Sequence, residues 1–227
     1  MVIYNLSRSD DLNRFGCKGV WTMKRIYFTA VPLQSNFVLQ PVVPQAVNFE
    51  LTDSAPRCFP IIRIMAQTMK PGDEAVLVIV RQQNSPNNEN YDLIVQELNG
   101  LNLAKVQIKD LTLPESQDRN VLVGMFRAMI GALEQNACYY ACMTFGTKSW
   151  PLVLMSVFNY AEKILDNVQI MGVYYQEALR CEGKIIQTRM YDMSVLLSLN
   201  SVVDLVTDMD DDSNQKEETI RILLEGC

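Results

Sequence analysis

Apolar positions along this chain change period repeatedly, from short continuous runs to three-and-four spacing and back. Runs at residues 25–30, 74–80, 137–143 and 168–174 read as strands. The aliphatic run from Glu74 to Val80 suits a central parallel strand covered on both faces. Shorter strands are expected at residues 104–108 and 184–190, with a polar loop over 109–117. Between the strands the period is helical. Pro60 opens a helix that carries Ile61, Ile64, Met65 and Met69, and residues 90–98 form another. Leu122, Met125, Phe126, Met129, Ile130 and Leu133 line one face of a long amphipathic helix. Ser149 is the expected N-cap of the next, with Pro151 in its first turn and a buried stripe at Leu154, Val157, Phe158, Ala161 and Leu165. Residues 193–206 and 216–224 give two more helices. The alternation predicts an α/β fold, a Rossmann-like and mostly parallel sheet with helices on both faces in a single main domain.

Residues 1–22 keep no apolar period and are expected to be an N-terminal extension to a domain at 23–207. Residues 208–227 read as an acidic linker and a short helix, the expected start of an effector domain.

Composition narrows the chemistry. With 48 % hydrophobic residues the chain can bury a core, which excludes wholesale disorder. No apolar run is long enough to span a bilayer and no secretory signal is evident, so a cytoplasmic location is expected. The six cysteines include no C-x-x-C pair. Cys138 and Cys142 fall on one face of a strand, as reduced core thiols rather than metal ligands or disulfides. Histidine is absent, which removes histidine-based triads and histidine-ligated zinc. A net charge of −6 argues against duplex-DNA binding, which needs an extensive basic face. A small anion needs only a local positive site.

Three polar loops fall at expected strand ends, where open parallel sheets bind ligands. The first contains Pro32, Leu33, Gln34 and Ser35; the second contains Arg81, Gln82, Gln83 and Asn84. The third is the turn Thr144-Phe145-Gly146-Thr147-Lys148, which runs from a strand straight into a helix. It gathers backbone N–H groups, hydroxyls and one ammonium at a helix N-terminus, a place that attracts phosphate. Amides suit base edges and hydroxyls, while Arg81 and Lys148 suit phosphate. Neither a P-loop nor a G-x-G-x-x-G is present, and no carboxylate pair points to a metal or other cofactor. Trp150, Tyr174 and Tyr175 are candidates for base stacking, although core packing is the stronger expectation for Tyr174.

With the Thr144-to-Lys148 turn, the apolar helix after it and Val173-Tyr174-Tyr175, the chain resembles a CARF domain. This is the CRISPR-associated Rossmann-like sensor of type III antiviral defence systems. The resemblance covers residues 23–206 and includes the first strand's exit, Thr29-Ala30-Val31-Pro32-Leu33. It implies a homodimer binding cyclic oligoadenylate, tetra- or hexa-adenylate, across its two-fold axis. Thr144, Gly146, Thr147 and Lys148 would contact the ring, with the loops at Pro32 to Ser35 and Arg81 to Asn84 completing the site. Phe145 departs from the small residue expected there. Two rival readings stand beside the sensor. One is a metal-independent ring nuclease in which Lys148, Thr144 and Thr147 align and stabilise attack by a ribose 2′-hydroxyl. The other is an α/β interaction domain with no nucleotide.

Overall fold

A computed structural model describes residues 23–33, 39–70, 72–84, 88–103, 105–182, 184–209 and 212–225. The N-terminal extension at 1–22, the expected ligand contacts Gln34 and Ser35, and Cys17 and Cys227 lie outside the described residues.

One seven-stranded sheet organises the fold. Its strands are β1 (Lys24–Ala30), β2 (Gln45–Ala46), β3 (Ala75–Gln82), β4 (Val106–Leu113), β5 (Ala137–Cys142), β6 (Gln169–Cys181) and β7 (Lys184–Asp192). The helices are α1 (Pro60–Thr68), α2 (Asn88–Asn99), α3 (Arg119–Ile130), α4 (Trp150–Ile164), α5 (Val195–Thr207) and α6 (Ser213–Glu225). The sheet order is β2-β7-β6-β5-β1-β3-β4. Only the β6–β7 pair is antiparallel. The chain moves from β1 outward to β4, then returns to place β5 on β1's other side. That reversal is a topological switch point, and the architecture is Rossmann-like as expected.

Strand alternation sorts the core into two layers. Ile26, Phe28, Val76, Val78, Tyr139 and Ala141 face α3 and α4, where Met125, Met129, Leu154 and Phe158 cover them. Tyr27, Leu77, Ile79, Tyr140, Cys138 and Cys142 face α1 and α2, against Ile61, Ile64, Met65 and Ile94. Both faces of β1, β3 and β5 are therefore buried, which is why those strands read as unbroken apolar runs. Cys138 and Cys142 are free thiols in the same layer, as their spacing implies.

Several boundaries differ from expectation. β4 continues through Leu113 where a loop is expected after residue 108, because an edge strand exposes alternate positions such as Asp110 and Thr112. β6 runs seven residues beyond Tyr174, and these pair only with β7. The result is a hairpin that overhangs the carboxyl end of β5. Ser149 stands at the cap position of α4, but its hydroxyl makes no cap bond and donates instead to Gln117 Oε1. Helix α6 begins at Ser213, three residues before the apolar period starts, and packs on α5.

Helix α1 receives its cap from another helix. Phe59 has no capping side chain, and Glu97 of α2 accepts the N–H groups of Cys58 and Phe59, both at 2.9 Å. Burial holds the Glu97 carboxyl above its ordinary value, against the pull of those two bonds and of Arg57 and Arg63. A raised folded value makes this group's contribution to stability fully present below its unfolded value and lost as pH rises through the folded one. Wild type is therefore expected to lose stability relative to Glu97→Gln as pH rises from about 4 to about 7. Urea unfolding across that range checks it, and a constant difference would contradict it.

Candidate functional site

The switch point between β1 and β5 opens into two hollows that share Leu33 and Gly146. The larger encloses about 250 Å3. Three parts of the chain wall it: the exits of β1 and β5, the segment carrying Leu39, Gln40, Val42 and Cys58, and the overhanging hairpin. The hairpin turns Gln176, Ala178, Arg180 and Ile185 toward this space, since Gln176, Ala178 and Arg180 alternate along one face of β6. The smaller hollow, about 20 Å3, lies under the turn among Arg81, Gln82, Gln117, Thr147 and Trp150.

Each wall is fixed by identifiable bonds. Asn90 of α2, itself buried, donates to Pro32 O at 3.1 Å and holds the exit of β1. Met143 N donates to Tyr174 O at 2.7 Å, the last link between β5 and β6. Thr144 Oγ1 accepts the N–H of Gln176 at 2.8 Å and the Cys142 thiol at 3.2 Å. Thr144 thereby ties the turn to the overhanging hairpin, leaving its own hydroxyl proton for a further acceptor. Because Ser149 spends its proton on Gln117, Thr147 is the donor in the 2.9 Å bond between their hydroxyls. Thr147 therefore presents lone pairs, not a donor, to anything that enters.

Gly146 is the hinge of the arrangement. Its φ is +106°, and a Cβ there would sit 2.7 Å from Ala30 Cβ and 3.2 Å from Trp150 Cγ. Only a residue without a side chain lets β5's exit pass this close to β1 and enter α4. Phe145 points the other way, edge-on to Phe59 with centroids 6.1 Å apart, and its body walls the larger hollow. Its size is thus accommodated by α1's entry.

The expected cations are placed differently. Arg81 forms a two-pronged pair with Asp110, at 3.0 and 2.5 Å, and lies 4.8 Å from the Tyr91 ring centroid. Asp110 also raises its already high pKa. Arg81 and Gln82 line the smaller hollow, whereas Gln83 and Asn84 line neither. Lys148 is exposed and lines neither. Trp150 and Tyr174 are core residues, 1 % and 6 % exposed, and Tyr174 packs on Phe49. Tyr175 stacks on Tyr191 on the hairpin's outer face, away from the hollow.

Sequence reading missed Gln40, Cys58, Gln176, Arg180 and Ile185. A signal for the hairpin members existed. The alternation continues past Tyr174 to Glu182-Gly183, a turn-forming pair before a second alternating run. The segment at 39–58 carried no comparable signal.

Chemically, the linings are one-sided. Among the described residues no Asp or Glu lines either hollow, whereas Arg180, Arg81 and four glutamines do. The Cys58 thiol is pushed up to about 11 by burial and by Glu97, so it stays protonated near neutrality and is a poor nucleophile. Among the described residues no cluster of three or more acidic or thiol side chains is placed to hold a metal. No helix among them is long and apolar enough to cross a membrane. A comparison with protein-family models and with curated proteins gives no match.

Proposed function

We propose that this chain is a sensor for cyclic oligoadenylate, a CARF-like domain that binds the ring across a homodimer axis and relays occupancy to an effector. The observation that carries this reading is a hollow at the switch point of an acidic chain whose described lining joins Gln40, Gln176, Thr144 and Arg180 to apolar walls and includes no carboxylate. Such a lining favours a ligand that combines polar base edges with phosphate. At about 250 Å3 the hollow falls below the usual range for a drug-sized ligand. It suits one nucleoside unit, so a ring of four or six demands a second, symmetry-related copy. Gln40 and Gln176 supply base-edge contacts, Arg180 supplies the phosphate contact, and Phe145 supplies an apolar wall.

Binding is favoured over cleavage by the same lining. Attack by a ribose hydroxyl needs a group to take its proton as well as one to steady the developing charge. Arg180 and the Thr144 hydroxyl can steady charge, but among the described lining residues nothing is a base: there is no carboxylate, the Cys58 thiol is held neutral, and Lys148 is outside both hollows.

Calorimetry of the purified chain with cyclic tetra- and hexa-adenylate, with chromatography of the ligand over hours, tests the proposal. Binding with an intact ring is expected, and Arg180→Ala is expected to weaken it about tenfold, the loss of one charge-assisted contact. Linear products would transfer the reading to a ring nuclease. No binding to either ring would sink it.

A further inference from the structure

The N-terminus of α4 carries a buried donor with no partner among the described residues. Trp150 is 1 % exposed, and its indole Nε1 has no hydrogen-bond partner among the described residues. Buried donors in native proteins are almost always paired, so an orphan calls for an explanation. The other orphan, Nε of Arg63, belongs to a guanidinium whose remaining nitrogens make four bonds. The Trp150 side chain has a single polar atom, so its whole hydrogen-bonding capacity goes unused among the described residues.

The pyrrole edge that carries the orphan lies against the candidate site. The indole's Cγ and Cδ1 lie 3.2 and 3.3 Å from where a Cβ on Gly146 would sit, and Nε1 is bonded to Cδ1. Trp150, Gly146 and Thr147 wall the smaller hollow, whose 20 Å3 admits one oxygen-sized group. Gly146 and Leu33 also wall the larger hollow, so the two spaces meet where the glycine leaves room. The first turn of a fifteen-residue helix adds its positive end at the same place. Thr147, which turns lone pairs this way, cannot supply the donor.

We propose that the Trp150 indole N–H is a specificity-determining donor. It hydrogen-bonds one unesterified phosphate oxygen of the ligand that occupies the larger hollow, and that oxygen reaches it through the smaller one. The assignment rests on the nucleotide reading of the larger hollow. It moves the phosphate contact at the turn from Lys148 to Trp150, which the sequence offers only as a candidate for base stacking.

The chain's two tryptophans make the test direct, because a nitrogen-15 spectrum holds two indole signals and Trp150→Phe identifies one of them. On titration with cyclic tetra-adenylate, the Trp150 indole proton is expected to move downfield. Trp150→Phe is expected to bind about tenfold more weakly. Benzothienylalanine at position 150 keeps the indole's shape without the donor. It is expected to match the phenylalanine variant, and it decides the matter if that variant folds poorly. A ring that binds without moving the signal, or with unchanged affinity for both variants, overturns the assignment and leaves the sensor reading standing. If wild type binds neither ring, the sensor reading fails, and adenosine monophosphate and inorganic phosphate become the probes. A downfield shift with either keeps the donor role. A signal already downfield and unmoved by every probe identifies a buried water and overturns it.

Discussion

Replacing Arg63 by methionine is expected to destabilise the protein by about 3 kcal/mol and to abolish ligand binding at the larger hollow. Arg63 lies on α1 and is 1 % exposed, yet the partners of its guanidinium lie off its own helix. Its guanidinium donates to the carbonyls of Val42, Asp53 and Ala55 and pairs with the Asp53 carboxylate. It therefore pins a loop-like segment that carries Leu39, Gln40 and Val42, one wall of the hollow. In the variant, Arg57 still satisfies the Asp53 carboxylate and the Val42 carbonyl, but the carbonyls of Asp53 and Ala55 lose their donor. Those losses, with the three-way tether gone, set the scale. Arg63→Lys is not expected to rescue, because a single ammonium cannot reach carbonyls arrayed around a planar fork. Urea unfolding and calorimetry read the two effects. Unfolding within about 0.5 kcal/mol of wild type, the usual effect of a surface change, would show that the tether does not hold the segment.

How far this fold was legible depended on which surfaces each strand buries. β3 and β5 are covered on both faces, so their sequences are unbroken apolar runs and their positions read directly. β4 is an edge strand, and Lys109, Asp110 and Thr112 made its second half look like a loop. The overhang of β6 was hidden for a similar reason. Beyond Tyr174 it pairs only with β7, so outward-facing and hollow-lining residues alternate without an aliphatic run.

Within the site, local chemistry was legible and partners across the sheet were not. The strand-turn-helix passage with Gly146 was recognisable, because glycine between a buried strand and a helix has a backbone reason to be there. Arg81 looked available for phosphate because its partner Asp110 is 29 residues away and meets it only once β3 and β4 pair. Lys148 looked well placed by sequence, but the turn points it to solvent. Arg180 belonged to a strand whose length was not apparent, so the cation that walls the hollow went unread.

Gly146→Ala and Gly124→Ala are expected to change stability in opposite directions, although they are the same chemical substitution. At Gly124, inside α3, a Cβ meets nothing within 4 Å, so alanine adds helix propensity and no contact. A gain of about 0.5–1 kcal/mol is expected there. At Gly146 two costs combine. Holding a side chain at φ +106° costs on the order of 1–3 kcal/mol. The added methyl also falls 2.7 Å from Ala30 Cβ and 3.2 Å from Trp150 Cγ. Neither neighbour can give way, since Ala30 is fixed in the central strand and Trp150 is wedged in the core. Overpacking of this kind adds roughly 1–3 kcal/mol. A loss of about 3 kcal/mol or more is a large part of the roughly 5–15 kcal/mol that holds a domain together. Binding is expected to fail as well, because the only escape is to lift the turn off β1, which separates the two hollows where Gly146 joins them. Parallel urea unfolding of both variants reads the sign. Two losses of equal size would mean that the turn does not pass as close to β1 as these distances require.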